Sequence, residues 1–595
     1  MIAVVALLAV TVQFSTPPTP AQAAAVSCAG TVRIFDGRAD GTMWYYEHKA
    51  PVTGDFAWVN GKWTASGFTG PTVASVNGTV YLVTASGELR RYAYNGTRWD
   101  GGGVVVGTGW QAWHANRSNP ITADTKGRLY TIDATGALVM FDPTVPRWDA
   151  TAGIPLALGW AGSRVVAAGD GVLYKIEPSG ALWRYRYDAD AQRFLSPSAQ
   201  TGMGWQAFDK VFSPGGDVLY GILNGVLYWF RYDADTATWA NNGYSKQVGV
   251  GWSGRLAVSA TTGTCSIPAA PQVPAVTPVA ADPAHAPELS GTGANFSYAY
   301  RDAQGRAVEA RENGDALTRT VLGDKVFAGD LSSATSRDAA GTEQVLGVDA
   351  SGSLWLAEGA AAFGGGWKPF GKGMRRAFLT EAVGPADPVQ ALAVDGAGTL
   401  WWRMRAAPHN KWLPWQQVAT SVGALTAAAS ASGGAYGITG SNWFALERTG
   451  DVAKVTSGAL PADFGSVVAA EVSTLPATLF ARQAGTGAAV SWGPLPPLAV
   501  TTAPLSATQL GNGQIVVAAV GADGYAYVTT GSTDTGEYHP WQRVGVKAAG
   551  AVQVIAPDAT SAHVAYLGQD GKLYHFAAAV TSGDTDPLVF NGKGR

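Results

Sequence analysis

The chain has 595 residues and a net charge of −3, and only 14% of its residues are charged, about half the ~25% common in globular proteins. That length exceeds one ordinary core, so two or more domains are expected, and 47% hydrophobic residues suit globular packing. The charge balance excludes an electrostatic pull toward nucleic acid or anionic lipid.

The first residues, "MIAVVALLAVTVQFSTPPTPAQAAA", read as an export signal over 1–25. Residues 2–14 form a predominantly apolar stretch, and Ala21-Gln22-Ala23 is a small-x-small cleavage pattern, although the usual opening basic residues are missing. The apolar run is short of the ~20 residues a spanning helix needs. A soluble, secreted protein without membrane insertion is therefore expected. It has two cysteines, Cys28 and Cys265, and an even count in an exported chain suggests a disulfide.

Residues 26–267 repeat themselves. A Gly-Trp pair recurs at Trp110, Trp160, Trp205 and Trp252, with Trp63 in "NGKW" as a looser fifth member. The steps are 47, 50, 45 and 47 residues. "MWYYEH", "LRRYAY", "LVMFDP", "LWRYRY" and "LYWFRY" track the same period, and "TVYLV", "RLYTI", "VLYKI" and "VLYGI" lie between them. Turn signals such as "DATG" and "EPSG" separate these short alternating segments, which predict antiparallel strands. Gly is frequent (76), as is Trp (22), which fits short strands, tight turns and large flat apolar faces. One such sheet cannot bury both faces alone. Five of them stacked around an axis can, which predicts a five-bladed β-propeller. The ends of a closed ring meet within one blade, so Cys28 and Cys265 are placed to staple it.

Residues 268–293 are rich in proline and alanine and predict an extended, semi-rigid linker. Residues 294–580 hold seven further strand–turn–strand units, among them "QVLGVDASGSLWLAE", "QALAVDGAGTLWWRMR" and "HVAYLGQDGKLYHF". They predict a second propeller of about seven blades, with one short interval leaving six or eight open. Residues 581–595 remain as a C-terminal tail. The predicted fold class is all-β, two propellers in tandem.

The stretch "GWQAFDKVFSPGGDVLYGI", residues 204–222, resembles the repeat of the tachylectin-2 family, which pairs a Gly-Trp-x-x-Phe strand with a Pro-Gly turn and a Leu-Tyr strand. The likeness recurs at five places between Cys28 and Ile267. It implies a five-bladed lectin without catalytic activity that binds N-acetylated amino sugars, about one site per blade pair. Glycans of N-acetylglucosamine or N-acetylgalactosamine type, in cell-wall or chitin-like polymers, are the implied partners. The family carries an Asp-Asn-Trp segment late in each unit. Here the matching segments are "GTRW", "VPRW", "AQRF" and "TATW", all without the Asn. More weakly, "DGAGTLWW" and "LPWQQV" are similar to segments of seven-bladed bacterial lectins of the fucose-binding type.

Sugar recognition needs a flat apolar face and polar groups for hydroxyls. The platform candidates are Trp99, Trp148 and Trp239 in loops, and the Gly-Trp residues Trp110, Trp160, Trp205 and Trp252, which serve equally as inter-blade core. Trp412, Trp415 and Trp541 pose the same choice in the second half, with core packing favoured. Asp188, Asp190, Asp233 and Asp235 form two Asp-x-Asp pairs, but the Gly and later Glu of a calcium loop are missing, so capped turns are expected and no metal or cofactor. "VDASGSLW" approaches the sialidase Asp-box with one residue too many, and no nucleophile elbow, zinc helix or phosphate loop occurs. The reading is a secreted, multivalent, non-enzymatic carbohydrate-binding protein. Its rivals are a glycoside hydrolase using the second propeller, or a structural, protein-binding propeller.

Overall fold

The computed structural model describes residues 26–594 except 116–119, 196–197, 268–272, 281–287, 293–294, 314–315, 336–342, 360–365, 381–388, 407–410, 423–424, 432–433, 440–441, 450–451, 461, 463, 470–478, 484–485, 492–494, 533–536, 559 and 580–587. The export signal expected over 1–25 lies outside the described residues. Among the described residues no helix is long and apolar enough to cross a membrane.

The alternating segments fold as strands. Val226–Asp233 buries Leu227, Trp229 and Tyr232 and leaves the residues between them partly buried, Phe230 against the apolar cluster shared with the neighbouring blade. It pairs antiparallel with Val218–Leu223, and that strand with Lys210–Gly215. The same order recurs in four more sheets, making blades 1 to 5 of the first ring. Their innermost strands are Arg255–Ala260, Thr72–Ala74, Ile121–Ala123, Arg164–Ala167 and Lys210–Gly215, each packed beside the next in a closed circle. A cavity of about 20 Å³ lies among these strands, lined by Thr72, Thr122, Ser213, Ser259 and their neighbours. It holds about one water, so the ring axis is too narrow for a sugar.

Ring closure exchanges chain ends. Blade 1 takes its inner strand, Arg255–Ala260, from the end of the domain and its other three, beginning with Val32–Arg38, from the start. Ser27–Cys28 then pairs with Cys265–Ser266, and Cys28 and Cys265 form the expected disulfide across 237 residues.

Among the described residues the second ring has seven sheets, so the seven-blade expectation holds. The sheet around Phe464–Ala469 shows three strands among the described residues. This ring closes differently. Its first inner strand, Glu288–Thr292, packs beside its last, Gln553–Asp558, and each blade is built from consecutive strands. Two expected boundaries need correction. The second propeller starts inside the predicted linker, because Glu288–Thr292 pairs with Asn295–Arg301. Its end lies beyond 580, because Asn591–Gly594 pairs with Leu573–Ala579, so the predicted tail supplies the outer strand of the seventh blade. The described linker residues 273–280 lie against the second ring, where the Val279 amide donates to the Arg375 carbonyl at 2.9 Å. Composition marked a proline-rich stretch but not which of its residues complete a sheet.

Candidate functional site

Each blade of the first ring carries one aromatic cage at its outer rim. The glycine before the large aromatic has a positive φ in all five copies: Gly67 (94°), Gly109 (84°), Gly159 (74°), Gly204 (84°) and Gly251 (77°). Only glycine takes that turn without strain, which is why Gly-Trp is the signature. The turn drives Phe68, Trp110, Trp160, Trp205 or Trp252 under the third strand of the next blade. There they meet Tyr92, Phe141, Tyr185, Phe230 and Tyr46, with ring centroids 4.7–5.3 Å apart. The loop aromatic closes the cage: Trp99 lies 5.1 Å from Phe68, Trp239 5.6 Å from Trp205, and Trp58 6.1 Å from Trp252. Indole N–H groups tie blades together. Trp58 donates to the Val248 carbonyl (2.5 Å) and Trp239 to that of Thr201 (2.6 Å), both on the preceding blade's outer strand.

The seven tryptophans therefore divide. Trp110, Trp160, Trp205, Trp252 and Trp148 are buried, their faces covered by neighbouring rings, and they cannot serve as sugar platforms. Trp148 lies in a loop, as expected, but is buried there; its backbone carbonyl accepts the Trp110 indole N–H at 2.7 Å. Trp99 and Trp239 stay half-exposed. Two positions were missed. Trp58 is the loop aromatic of blade 1, and Phe68 is the fifth Gly-aromatic residue; Trp63, assigned that place, points outward at 55% exposure. Aligning "DFAW" with "GTRW" and "SGF" with "TGW" finds both.

The rim beside each cage differs from blade to blade. The residue before the positive-φ glycine is Ser66, Thr108, Leu158, Met203 or Val250. At blade 3, Asp149 Oδ1 accepts from the Thr108 amide (2.8 Å) and hydroxyl (2.7 Å), and Oδ2 accepts from Arg147 Nε (2.8 Å). The Arg147 and Thr108 hydrogen bonds hold the Asp149 carboxyl down at about 2, so it is an anion at neutral pH. This exposed hydroxyl, guanidinium and carboxylate present donors and acceptors to a polyol. Blade 2 carries the same residue types, Ser66, Arg98 and Asp100, but Asp100 turns back to accept from the Ala93 amide (2.9 Å). At blades 5 and 1 the position is apolar and open, with Met203 63% and Val250 64% exposed.

The Asp-x-Asp pairs are capped turns, as expected. Asp188 Oδ1 accepts from the amides of Asp190 and Ala191, and Asp233 Oδ1 from those of Asp235 and Thr236. The Asp-box-like sequence has a structural role as well. Asp349 Oδ1 accepts from the Ser351 and Ser353 amides, and its Oδ2 accepts from the Trp355 indole at 2.7 Å. Burial alone would raise this carboxyl, but the Ser351 hydroxyl, which donates to Oδ1 at 2.6 Å, the Trp355 indole and the two amides hold it below the usual range. Asp395 repeats the clamp on Trp401, Asp523 on Tyr527 and Asp570 on Tyr574. Among the described residues no group of three His, Cys, Asp or Glu converges to hold a metal ion.

In the second ring Trp415 is buried, with its indole on the Phe370 carbonyl (2.8 Å). Trp412 and Trp541 are half-buried, donating to Glu358 (3.2 Å) and to the Pro496 carbonyl (2.8 Å). A cavity of about 260 Å³ opens between its last two blades, lined by Thr529, Thr530, His539, Pro540, Gln542 and Phe590 among others.

These cages and rims repeat through a segment, residues 37–257, that matches the tachylectin family model. The first ring is thus a tachylectin-like propeller lectin. Similar solved structures include the BP39L lectin of Burkholderia pseudomallei, at 15% identity and a TM-score of 0.38, with 52% of this chain and 99% of that one covered. A fucose-specific lectin of Aleuria aurantia aligns at 11% identity and a TM-score of 0.32, covering 53% and 97%. AofleA of Arthrobotrys oligospora aligns at 11% and 0.32, covering 52% and 86%. A search of curated proteins finds no match.

Proposed function

We propose that the protein is exported and binds glycans of N-acetylated amino sugars, without catalysis, through the rim crevices of its first ring. The observation that carries this reading is the aromatic cage that recurs in all five blades of a ring that matches the tachylectin model, each with a rim of its own beside it. The blade 3 crevice supplies the hydrogen-bonding groups, Thr108, Arg147 and Asp149, and the half-exposed Trp99 and Trp239 supply apolar faces. Met203 and Val250 offer exposed apolar surface where an acetyl methyl would rest. Each crevice is shallow and weak alone. Several on one rigid ring bind a polymer such as chitin or cell-wall glycan by avidity, a gain of ~10²–10⁴ over a single site. The cavity of the second ring lies just below the ~300–1,000 Å³ of drug-sized sites and fits one further sugar ring.

A glycan array with the full protein tests the reading, followed by titration with N-acetylglucosamine and with its oligomers. Retention on acetylated polymers and weak binding of the single sugar are expected. Signal confined to unacetylated or fucosylated glycans refutes the sugar class, and release of reducing ends from chitin refutes the absence of catalysis.

A further inference from the structure

One crevice of the five is not open. At blade 4 the rim is covered by the other half of the chain. Leu158, the counterpart of Thr108 and Met203, packs against the apolar cluster of Leu392, Leu400, Trp402 and Leu413 in the second ring. The loop at Asp188–Phe194, which ends in Phe194 where other blades have tryptophan, reaches into the same ring. Gln192 stands at φ 52°, so its backbone turns outward, and its carbonyl accepts from the Trp415 amide at 2.8 Å. Arg193 and Trp415 form a parallel bridge, one residue of sheet shared between the rings.

Two arginines cross the joint in opposite senses. Arg193 of the first ring lies over the Trp401 indole at 4.2 Å, and that indole N–H is held by Asp395. Arg403 of the second ring donates from Nη1 to Gln192 Oε1 (3.0 Å) and to the Phe370 carbonyl (2.8 Å), and from Nε to the Leu413 carbonyl (2.8 Å). Its guanidinium is stacked 4.1 Å over Phe370 and is 3% exposed. Burial draws Arg403 down to about 9. A cation this deep needs all its acceptors, and one of them is Gln192. Gln192 Nε2 donates in turn to the Pro369 carbonyl (2.7 Å). Lys411 extends the joint to blade 3, donating to the carbonyls of Thr151 (2.9 Å) and Gly153 (2.8 Å). The Lys372–Asp190 pair at 3.2 Å lies on the exposed rim, where screening leaves it little weight.

We infer that the blade 4 crevice is a docking joint for the second propeller, which fixes the two rings as one body and leaves four crevices open. The joint stands on geometry alone. Only its effect on ligand number rests on the function proposed above. The consequence is directional. Rings held rigidly present their crevices in a set relation to a surface, which a flexible linker would not enforce.

The test uses the full chain and the variants Gln192→Arg, which sets a second guanidinium against Arg403, and Leu158→Asp. Neither residue belongs to the interior of a blade sheet, and circular dichroism confirms that both rings stay folded. Small-angle scattering of the wild type should fit the docked rings, and the variants should show a larger radius of gyration. Proteolysis between the rings should speed up about tenfold, the equivalent of ~1.4 kcal/mol of docking. Wild-type scattering that fits only independently placed rings overturns the joint, as do folded variants with unchanged scattering and cleavage. Titration with N,N′-diacetylchitobiose reads the second half of the inference. One additional site in the variants supports the blocked crevice, and unchanged stoichiometry overturns it. If no form binds the sugar while the scattering responds as expected, the joint stands and the sugar-binding proposal falls.

Discussion

Removing the clasp of the first ring is the sharpest test of how it closes. In the double variant Cys28→Ala and Cys265→Ala, the 237-residue loop is no longer covalently closed in the unfolded chain. Chain entropy then makes unfolding more favourable by 2.1 + 1.5R ln 237 cal/mol/K, or about 5.5 kcal/mol at 25 °C. The folded ring keeps its exchanged strand, Arg255–Ala260 against Val32–Arg38, so its shape should persist. In a domain of this size each kcal/mol shifts the melting temperature by ~2–4 °C, which gives a fall of about 10–20 °C. Differential scanning calorimetry of the full chain should show the first-ring transition moving down by that amount while the second-ring transition moves little, since its closure involves no cysteine. Wild-type protein under reductant should follow the double variant. A fall below about 3 °C would refute the view that one long-range crosslink limits the unfolded ensemble.

Three further outcomes follow from buried and exposed charges. Asp217→Ala strands the Arg184 guanidinium, held at 2.9 and 2.7 Å, and the Tyr174 hydroxyl, held at 2.6 Å, between blades 4 and 5. Urea unfolding should report a loss of ~3–5 kcal/mol, and a loss under 1 kcal/mol contradicts the assignment. Asp149→Ala, at the exposed rim, should leave the melting temperature within a degree or two while weakening sugar retention severalfold, and equal retention removes blade 3 from the binding surface. His48 is buried, with Nε2 donating to the Asp55 carbonyl (2.8 Å) and Nδ1 accepting from the Tyr220 hydroxyl (2.6 Å). Burial lowers its pKa below the ordinary 6.5, so its contribution is complete above that value and fades as pH falls through the folded one. Chemical denaturation should show first-ring stability dropping between pH 7.5 and 5, more steeply than in His48→Gln; equal slopes in the two proteins exclude His48 as the source.

Much of the fold was legible because a propeller is a local repeat. Strands of five to eight residues separated by tight turns, such as Val172–Ile176 and Leu182–Asp188, announce themselves by alternation and by turn residues. The register shift opposite each outer strand, at Leu89, Leu138, Leu182 and Leu227, falls at one place in each repeat, so the sequence period reflects a structural one. Burial of the aromatics was far less legible. Trp148 and Trp239 hold the same loop position in sequence, but one is buried and the other half-exposed, because exposure depends on the neighbouring blade. Trp58 escaped notice because its blade carries a longer loop, which blurs the alignment. The Asp349 segment resembled an Asp-box in sequence, and only the structure shows its carboxylate capping a hairpin and holding an indole.

The amino-acid order alone determined that this chain forms sheets, that the first ring has five of them, and that its two cysteines are placed to clasp that ring, since these follow from contacts between residues close along the chain or at the ends of a countable repeat; the blade count of the second ring, left between six and eight, was decided by the structure. Tertiary structure alone decided which crevices face solvent and where the rings meet. Gln192, Trp415 and Arg403 carry no shared pattern in sequence; they form one site because two rigid circles bring together side chains more than two hundred residues apart. Such complementarity depends on the summed curvature of twelve sheets, a quantity that no short window of residues encodes.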